Sequence, residues 1–495
     1  MLIGWWFKKM IRRRTITSYV WNSVSGNKMV ILSNCIRNFF RKFELIGNSM
    51  QGENPAPDNP QEIKSAGRKS KNLLNLQKQP DVKETYLGWK VSDGRNVVLS
   101  VKDKGNNADI TGCYLGLSRT GGSSDGVVWV VNNGSVAVKE VVSKNQYVSV
   151  FPSNETTVRK LLERFDIQVE YGGNATDYEP YGYFLDVKVT GKNLLDKSII
   201  LPLSSYDIKD GIYWRKYFYL LPNTDYLIRV TPHYTEKLVD TSGFLGVGEP
   251  YDNNLPNGII SLIPDVGTTD KTNYFRTDAT GKVILKFKDS ANEENIRKML
   301  EQVEITLALK TFNNEHEPYT EQSMQIVLNE PLRGIGEYKD VLTKDGVVRK
   351  IKRIVFDGSE DEEWRLDRKL GNHINFALVI KGAITVNTGI RTMMDKFKYL
   401  RAVWNNNLPG QDMFGAKLRI NMPKTLATDL QTFKTWLSQN PLTVDYVLAE
   451  PVTEPLPESV QAQLQALHTE NGITHVFVDS GEVECGINIE YKYKS

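Results

Sequence analysis

Val158-Arg159-Lys160-Leu161-Leu162-Glu163 recurs, with conservative changes, as Ile296-Arg297-Lys298-Met299-Leu300-Glu301, and this recurrence decides the fold. Asn154-Glu155 stands before the first copy and Asn292-Glu293 before the second. Downstream, Tyr178-Glu179-Pro180-Tyr181 returns as His316-Glu317-Pro318-Tyr319. Every pair is 138 positions apart (158 to 296, 180 to 318), so the block aligns without a gap. Upstream, Lys71-Asn72-Leu73-Leu74-Asn75 matches Lys192-Asn193-Leu194-Leu195-Asp196 at an offset of 121, which leaves 17 extra residues inside the second copy. Two homologous modules are therefore expected, over 71–182 and 183–322. At this length they are tandem domains, because solenoid repeats have shorter periods.

Within the modules the pattern is β. Asn96-Val97-Val98-Leu99-Ser100-Val101, Gly126-Val127-Val128-Trp129-Val130-Val131 and Lys282-Val283-Ile284-Leu285-Lys286-Phe287 are short β-branched runs between Gly, Asn and Asp turn signals. A short helix is expected before the last strand of each module, over 156–164 and 294–302. About eight strands per module fit a jelly-roll sandwich.

Working outward, a distal β-rich domain is expected over 323–495. Asp345-Gly346 marks a hairpin. Helical patterns over 428–437 and 458–468 flank a strand at 443–449, with Pro451, Pro455 and Pro457 expected to break regular structure. The helix-then-strand order echoes the modules and points to a third sandwich. Residues 47–70 read as a Pro-rich linker. Residues 1–46 read as a basic, aromatic leader with a helix over 33–43, or as sequence upstream of a start at Met29. The expected fold class is mainly β: tandem jelly-roll-like β-sandwich domains with a short N-terminal helical leader.

Composition narrows the function. The 495 residues suffice for three or four domains. The balance of 62 basic and 59 acidic residues, net +3, gives no reason to expect nucleic acid as partner. Cys35, Cys113 and Cys485 are isolated and odd in number, and with five His no zinc-ligand spacing occurs. No run approaches the roughly 20 apolar residues that span a bilayer. The apolar core of a signal peptide is missing, so export by the general secretory route is not expected.

Several motifs together resemble minor structural and tail-fibre proteins of tailed phages and prophages of Gram-positive bacteria. Phe39-Phe40-Arg41-Lys42-Phe43-Glu44-Leu45-Ile46-Gly47-Asn48-Ser49, Glu62-Ile63-Lys64-Ser65-Ala66-Gly67 and the Pro-rich stretch between them are similar to the start of that family. Lys71-Asn72-Leu73-Leu74 and Asn174-Ala175-Thr176-Asp177-Tyr178-Glu179-Pro180-Tyr181 resemble the bounds of its carbohydrate-binding-like sandwich. Asn329-Glu330-Pro331-Leu332-Arg333-Gly334-Ile335-Gly336, Lys339-Asp340 and Phe356-Asp357-Gly358-Ser359-Glu360-Asp361 resemble the opening of its distal domain. Phe433-Lys434-Thr435-Trp436-Leu437 and Val447-Leu448-Ala449-Glu450-Pro451 resemble its end. The resemblance runs from about residue 39 to the carboxyl end.

It implies a virion protein made in the bacterial host cytoplasm and displayed at the tail tip. Its implied partners are host-surface glycan and other tail proteins, with a homotrimer expected by analogy. Sugar sites stack pyranose rings on Trp or Tyr and fix hydroxyls with Asn, Asp or Gln. Trp89, Trp129, Trp214 and Trp404 are the aromatic candidates. Trp404 leads, because a polar loop follows it, and the expected contacts are Trp404, Asn405, Gln411 and Asp412. No catalytic residue is assigned. Glu360-Asp361-Glu362-Glu363 are consecutive and do not face one cleft, and His316 is replaced by Tyr178 in the other copy. No cofactor is expected, and Asp103, Asp109 and Asp125 are the acids considered as Ca²⁺ ligands of a sandwich loop, although isolated loop acids are usually just solvated. A tail connector that binds no glycan is the alternative, and a polysaccharide-cleaving tail enzyme ranks below both.

Overall fold

The computed structural model describes residues 27–491 except 36, 77, 201–207, 211–212, 222, 234–243, 249, 252–254, 257–258, 262–270, 280, 289–292, 313–315, 388, 406–407 and 471. For part of the second copy and for Trp404 only the backbone is described. The fold is mainly β, built from antiparallel sheets. Two compact units emerge: Gly67–Leu185 with Ile326–Pro331, and the described parts of Met1–Ala66, Asp186–Gln325 and Leu332–Ser495.

The first copy is a β-sandwich. Its larger sheet runs Ser135–Val136, Val128–Asn132, Tyr114–Ser118, Tyr147–Phe151, Leu87–Lys90, Val82–Lys83. The smaller runs Glu140–Ser143, Val97–Asp103, Phe165–Tyr171. Apart from the Tyr114–Ser118/Val128–Asn132 hairpin within the larger sheet, the strands cross between the two sheets, as in a jelly roll. Inward residues of both sheets, Leu99, Leu115, Leu117, Val148, Val150 and Val169, are fully buried in one core. Helix α1 (Glu155–Arg164) closes one end, capped by Asn154 and burying Val158 and Leu161.

The second copy repeats this path. Its larger sheet runs Ile259–Ser261, Phe244–Gly248, Lys282–Lys288, Tyr213–Tyr219, Ile208–Asp210, and its smaller Lys271–Arg276, Asp225–Pro232, Val303–Leu309. Helix α2 (Glu293–Glu301) again precedes the last strand.

The Lys-Asn-Leu-Leu motif has a physical explanation in this duplication. Asn72, 3% exposed, donates from Nδ2 to the carbonyls of Ile167 and Glu179, each at 3.1 Å, and accepts at Oδ1 from the amides of Leu74 and Val169. Asn193 does the same with Ile305, Glu317, Leu195 and Leu307. One amide thus ties the entering segment of each module to its last strand and to its Glu-Pro-Tyr segment.

In the distal part, helix α3 (Leu430–Gln439) starts at Asp429 in a capping box and is followed by the long strand Leu442–Pro455. A sheet of Arg365–Leu370, His373–Val379, Lys417–Pro423 and Gly410–Phe414 packs on it through one core that includes Phe376, Phe433 and Val444. Helix α4 spans Glu458–Ala466. Contrary to expectation, the strand continues through Pro451. The register against Gly346–Phe356 jumps between Arg349–Val452 and Ile351–Val447, so Pro451 sits in a bulge, where its missing N–H costs nothing.

The expected amino-terminal helix is a correction. Asn27–Cys35 is a strand paired with Gly472–Asp479, and Phe40–Ile46 is a strand paired with Gly486–Tyr491. A register shift between Phe40 and Lys42 inserts one residue, so Phe40 and Phe43 face the same side before Leu45 resumes the alternation. That three-residue spacing imitates a helix face. Residues 1–26 of the expected leader lie outside the described residues.

Two buried carboxylates of the distal part, one of them in a resemblance motif, are spent on internal bonding. Asp340, fully buried, accepts from the amides of Arg333, Lys350 and Ile351 and lies 3.3 Å from Arg349. Burial pushes its carboxyl up, against these bonds. Asp445, also fully buried, takes Arg353 in a fork at 2.7 and 2.9 Å.

Candidate functional site

The outward face of the larger sheet in the first copy carries a cluster of four aromatic rings. Alternation puts them there: Leu115 and Leu117 point into the core while Tyr114, Gly116 and Ser118 point out, and Val148 and Val150 point in while Tyr147, Ser149 and Phe151 point out. Tyr114 and Phe151 are direct cross-strand partners with ring centroids 5.6 Å apart. Trp129 meets Tyr114 at 5.6 Å and Tyr86 at 6.0 Å, and Tyr86 meets Phe151 at 5.0 Å. All four are partly exposed.

Gly116 makes room for the indole. It lies opposite Trp129, and a Cβ there would stand 2.5 Å from the Val128 carbonyl oxygen and 3.0 Å from Trp129 Cε3. Beside the cluster the loop 119–127 folds over the sheet. The hydroxyls of Ser118 and Ser149 are 2.6 Å apart, Ser149 donates to the Gly121 carbonyl at 3.2 Å, and Tyr86 N donates to Gly122. A Cβ on Gly88 would lie 2.6 Å from Gly121. The Gly121-Gly122-Ser123-Ser124 turn is therefore a close-packed flap beside the rings. The arrangement can bury the apolar faces of a sugar against rings held by packing rather than by mobile loops.

The structure separates the residues singled out in the sequence. Trp89 is 4% exposed, part of the core, with its N–H donated to the Lys78 carbonyl. Trp129 belongs to the cluster. The side chains of Trp214 and Trp404 lie outside what is described. Asn405 is exposed at the end of a short 3-10 turn, Val403–Asn405. Gln411 and Asp412 lie on a strand, not a polar loop, and are 1% and 3% exposed. Gln411 accepts from Thr392, and Asp412 holds Arg419 by two bonds of 2.7 Å and accepts from Val403 N. Their polar atoms are engaged inside the distal fold.

Glu362 of the acidic run accepts from the amides of Asp357 and Gly358 and from the indole N–H of Trp364. His316 Nδ1 is 2.7 Å from the Thr306 hydroxyl, and burial holds its imidazole below the usual range. Asp103 accepts from Gly105 N and pairs with Arg164, and Asp109 accepts from Thr111 N. Among the described residues no three His, Cys, Asp or Glu gather in a metal-binding group. Nor is any described helix long and apolar enough to cross a membrane.

No family model matches the chain. No curated protein matches it either. Among solved structures, the extracellular domain of ANXUR1 from Arabidopsis thaliana is similar over 50% of this chain and 83% of its own, at 10% identity and a TM-score of 0.14. Tripeptidyl peptidase 2 is similar over 81% of this chain and 35% of its own, at 9% identity and TM-score 0.13. Infectious bursal disease virus Gx strain gives 97% and 86%, at 8% identity and TM-score 0.10. Scores this low carry no argument.

Proposed function

We propose that this chain is a non-enzymatic structural protein of a phage tail that binds host-surface carbohydrate through the aromatic face of its first module. The observation that carries the reading is the four-ring cluster of Tyr86, Tyr114, Trp129 and Phe151, partly exposed on a rigid sheet. Aromatic rings left at a surface are a recognised means of binding ring-shaped, amphipathic ligands. The sequence resemblance to tail proteins of Gram-positive phages supplies the context: a virion protein, assembled in the bacterial cytoplasm with other tail proteins and as a homotrimer. Three copies would add avidity to a weak site.

A second reading, a tail connector that binds no glycan, also has a specific support. Asn72, Arg333, Asp340, Asp357 and Gly358, which belong to the motifs that carry the resemblance, all make internal bonds. Binding of the full chain to an array of Gram-positive cell-wall glycans separates the two. Glycan-selective binding supports the first reading; no binding by the folded protein favours the connector.

A further inference from the structure

The second copy keeps the larger sheet of the first but changes the chemistry of its outward face. Four strands follow the same order in both: Val128–Asn132, Tyr114–Ser118, Tyr147–Phe151 and Leu87–Lys90 in the first, Ile259–Ser261, Phe244–Gly248, Lys282–Lys288 and Tyr213–Tyr219 in the second. Register therefore matches the two faces position by position. The row Gly116, Ser149, Gly88 across the first sheet becomes Gly246, Lys286, Arg215 across the second. Two residues along, Tyr114 becomes Phe244, and Phe151 becomes Lys288, whose cross-strand partner is Tyr213. In the first copy the rings and the glycines and serines between them are all uncharged.

Val283 is fully buried, so strand alternation puts Leu285 and Phe287 on the core face and Lys282, Lys286 and Lys288 on the other. Direct cross-strand partners share a face, which adds Tyr213, Arg215, Tyr217 and Tyr219. Among the described strand positions of that face four are basic and one, Asp210, is acidic. Lysine and arginine are almost never fully buried unless paired, so a face of this composition belongs at solvent. Arginine forks onto carboxylate or phosphate oxygens, lysine holds them as a point charge, and tyrosine and phenylalanine offer flat apolar area to a sugar ring. We infer that the outward face of the second copy binds a glycan carrying carboxylate or phosphodiester groups, so that the duplication yields one neutral and one anionic sugar site. This assignment rests on the glycan-binding reading above but does not depend on the ring cluster of the first copy.

The test is titration of the full chain with polygalacturonate, poly(glycerol phosphate), dextran and oligothymidylate at about 0.05 and 0.2 M salt. At least one of the two anionic glycans should bind, severalfold more weakly at the higher salt, and the one that binds tighter identifies the acidic group. A cation about 4 Å from an anion in water contributes roughly a fivefold factor, so Lys286→Gln combined with Lys288→Gln should weaken that binding about twentyfold. Trp129→Ala should leave it unchanged, and thermal melts should show both proteins folded. The salt dependence tests the same point without any variant. Anionic binding that ignores salt, that survives the lysine substitutions or that Trp129→Ala abolishes would overturn the assignment and leave glycan binding standing. So would dextran bound as tightly as the polyanions, or a neutral wall glycan bound with neither polyanion. Tighter binding of oligothymidylate than of either polyanion would overturn it in favour of nucleic acid. No binding of any glycan would overturn both this assignment and the reading it rests on.

Discussion

The duplicated asparagine gives a prediction that can be worked through. In Asn72→Ala, four hydrogen bonds vanish: two donated to the Ile167 and Glu179 carbonyls, two accepted from the Leu74 and Val169 amides. A typical bond contributes about 0.5–1.5 kcal/mol net, and a buried group left without a partner costs about 1–3 kcal/mol. Leu73 N still reaches the Val169 carbonyl at 2.7 Å, so the segment stays anchored and partial relaxation is expected. The expected loss is about 3–5 kcal/mol. Urea unfolding of wild type and variant, followed by tryptophan fluorescence and calorimetry, measures it. Asn193→Ala removes the equivalent four bonds and should cost a similar amount, about 3–5 kcal/mol by the same reckoning. A loss below about 1 kcal/mol for either variant would refute the claim that this amide joins each module together.

Three further outcomes follow from the same structure. His475 is fully buried, donates Nδ1–H to the Gly191 carbonyl at 2.8 Å, and has its pKa pushed down by burial to about 4. Because the folded value lies below the unfolded value of about 6.5, its contribution is complete above pH 6.5 and is lost as pH falls towards 4. That loss reaches about 3 kcal/mol, and a melting-temperature profile should be flatter in His475→Asn. Asp445→Asn leaves Arg353 without its carboxylate fork and should cost about 3–5 kcal/mol in denaturant unfolding. Trp89→Ala should destabilise by about 3–5 kcal/mol, whereas Trp129→Ala, at a partly exposed ring, should cost far less in the same assay.

The duplication was legible because an ungapped offset survives in sequence, and the two copies follow the same strand path. The purpose of its best-matched asparagine was not, since the carbonyls it bonds lie about a hundred positions away. The amino-terminal helix was misread because a single inserted residue at Arg41 turned a period of two into a spacing of three. The aromatic cluster was missed for a different reason. Tyr114, Trp129 and Phe151 sit on three strands, and only register brings them together. One signal was present: Tyr114-Gly116-Ser118 and Tyr147-Ser149-Phe151 each alternate with buried aliphatics, a face that spends aromatics outside the core. Gln411 and Asp412 looked like loop contacts because polar residues at a surface and in a buried ion pair read alike in sequence.

The most direct test of the central claim is titration of the full chain and of Trp129→Ala with the tightest neutral glycan from the array. Losing an aromatic stacking partner worth about 1.4 kcal/mol or more weakens binding at least tenfold. The account predicts that loss in a variant whose melting temperature stays close to wild type. Unchanged affinity in a folded Trp129→Ala protein would contradict it and remove the aromatic face as the site.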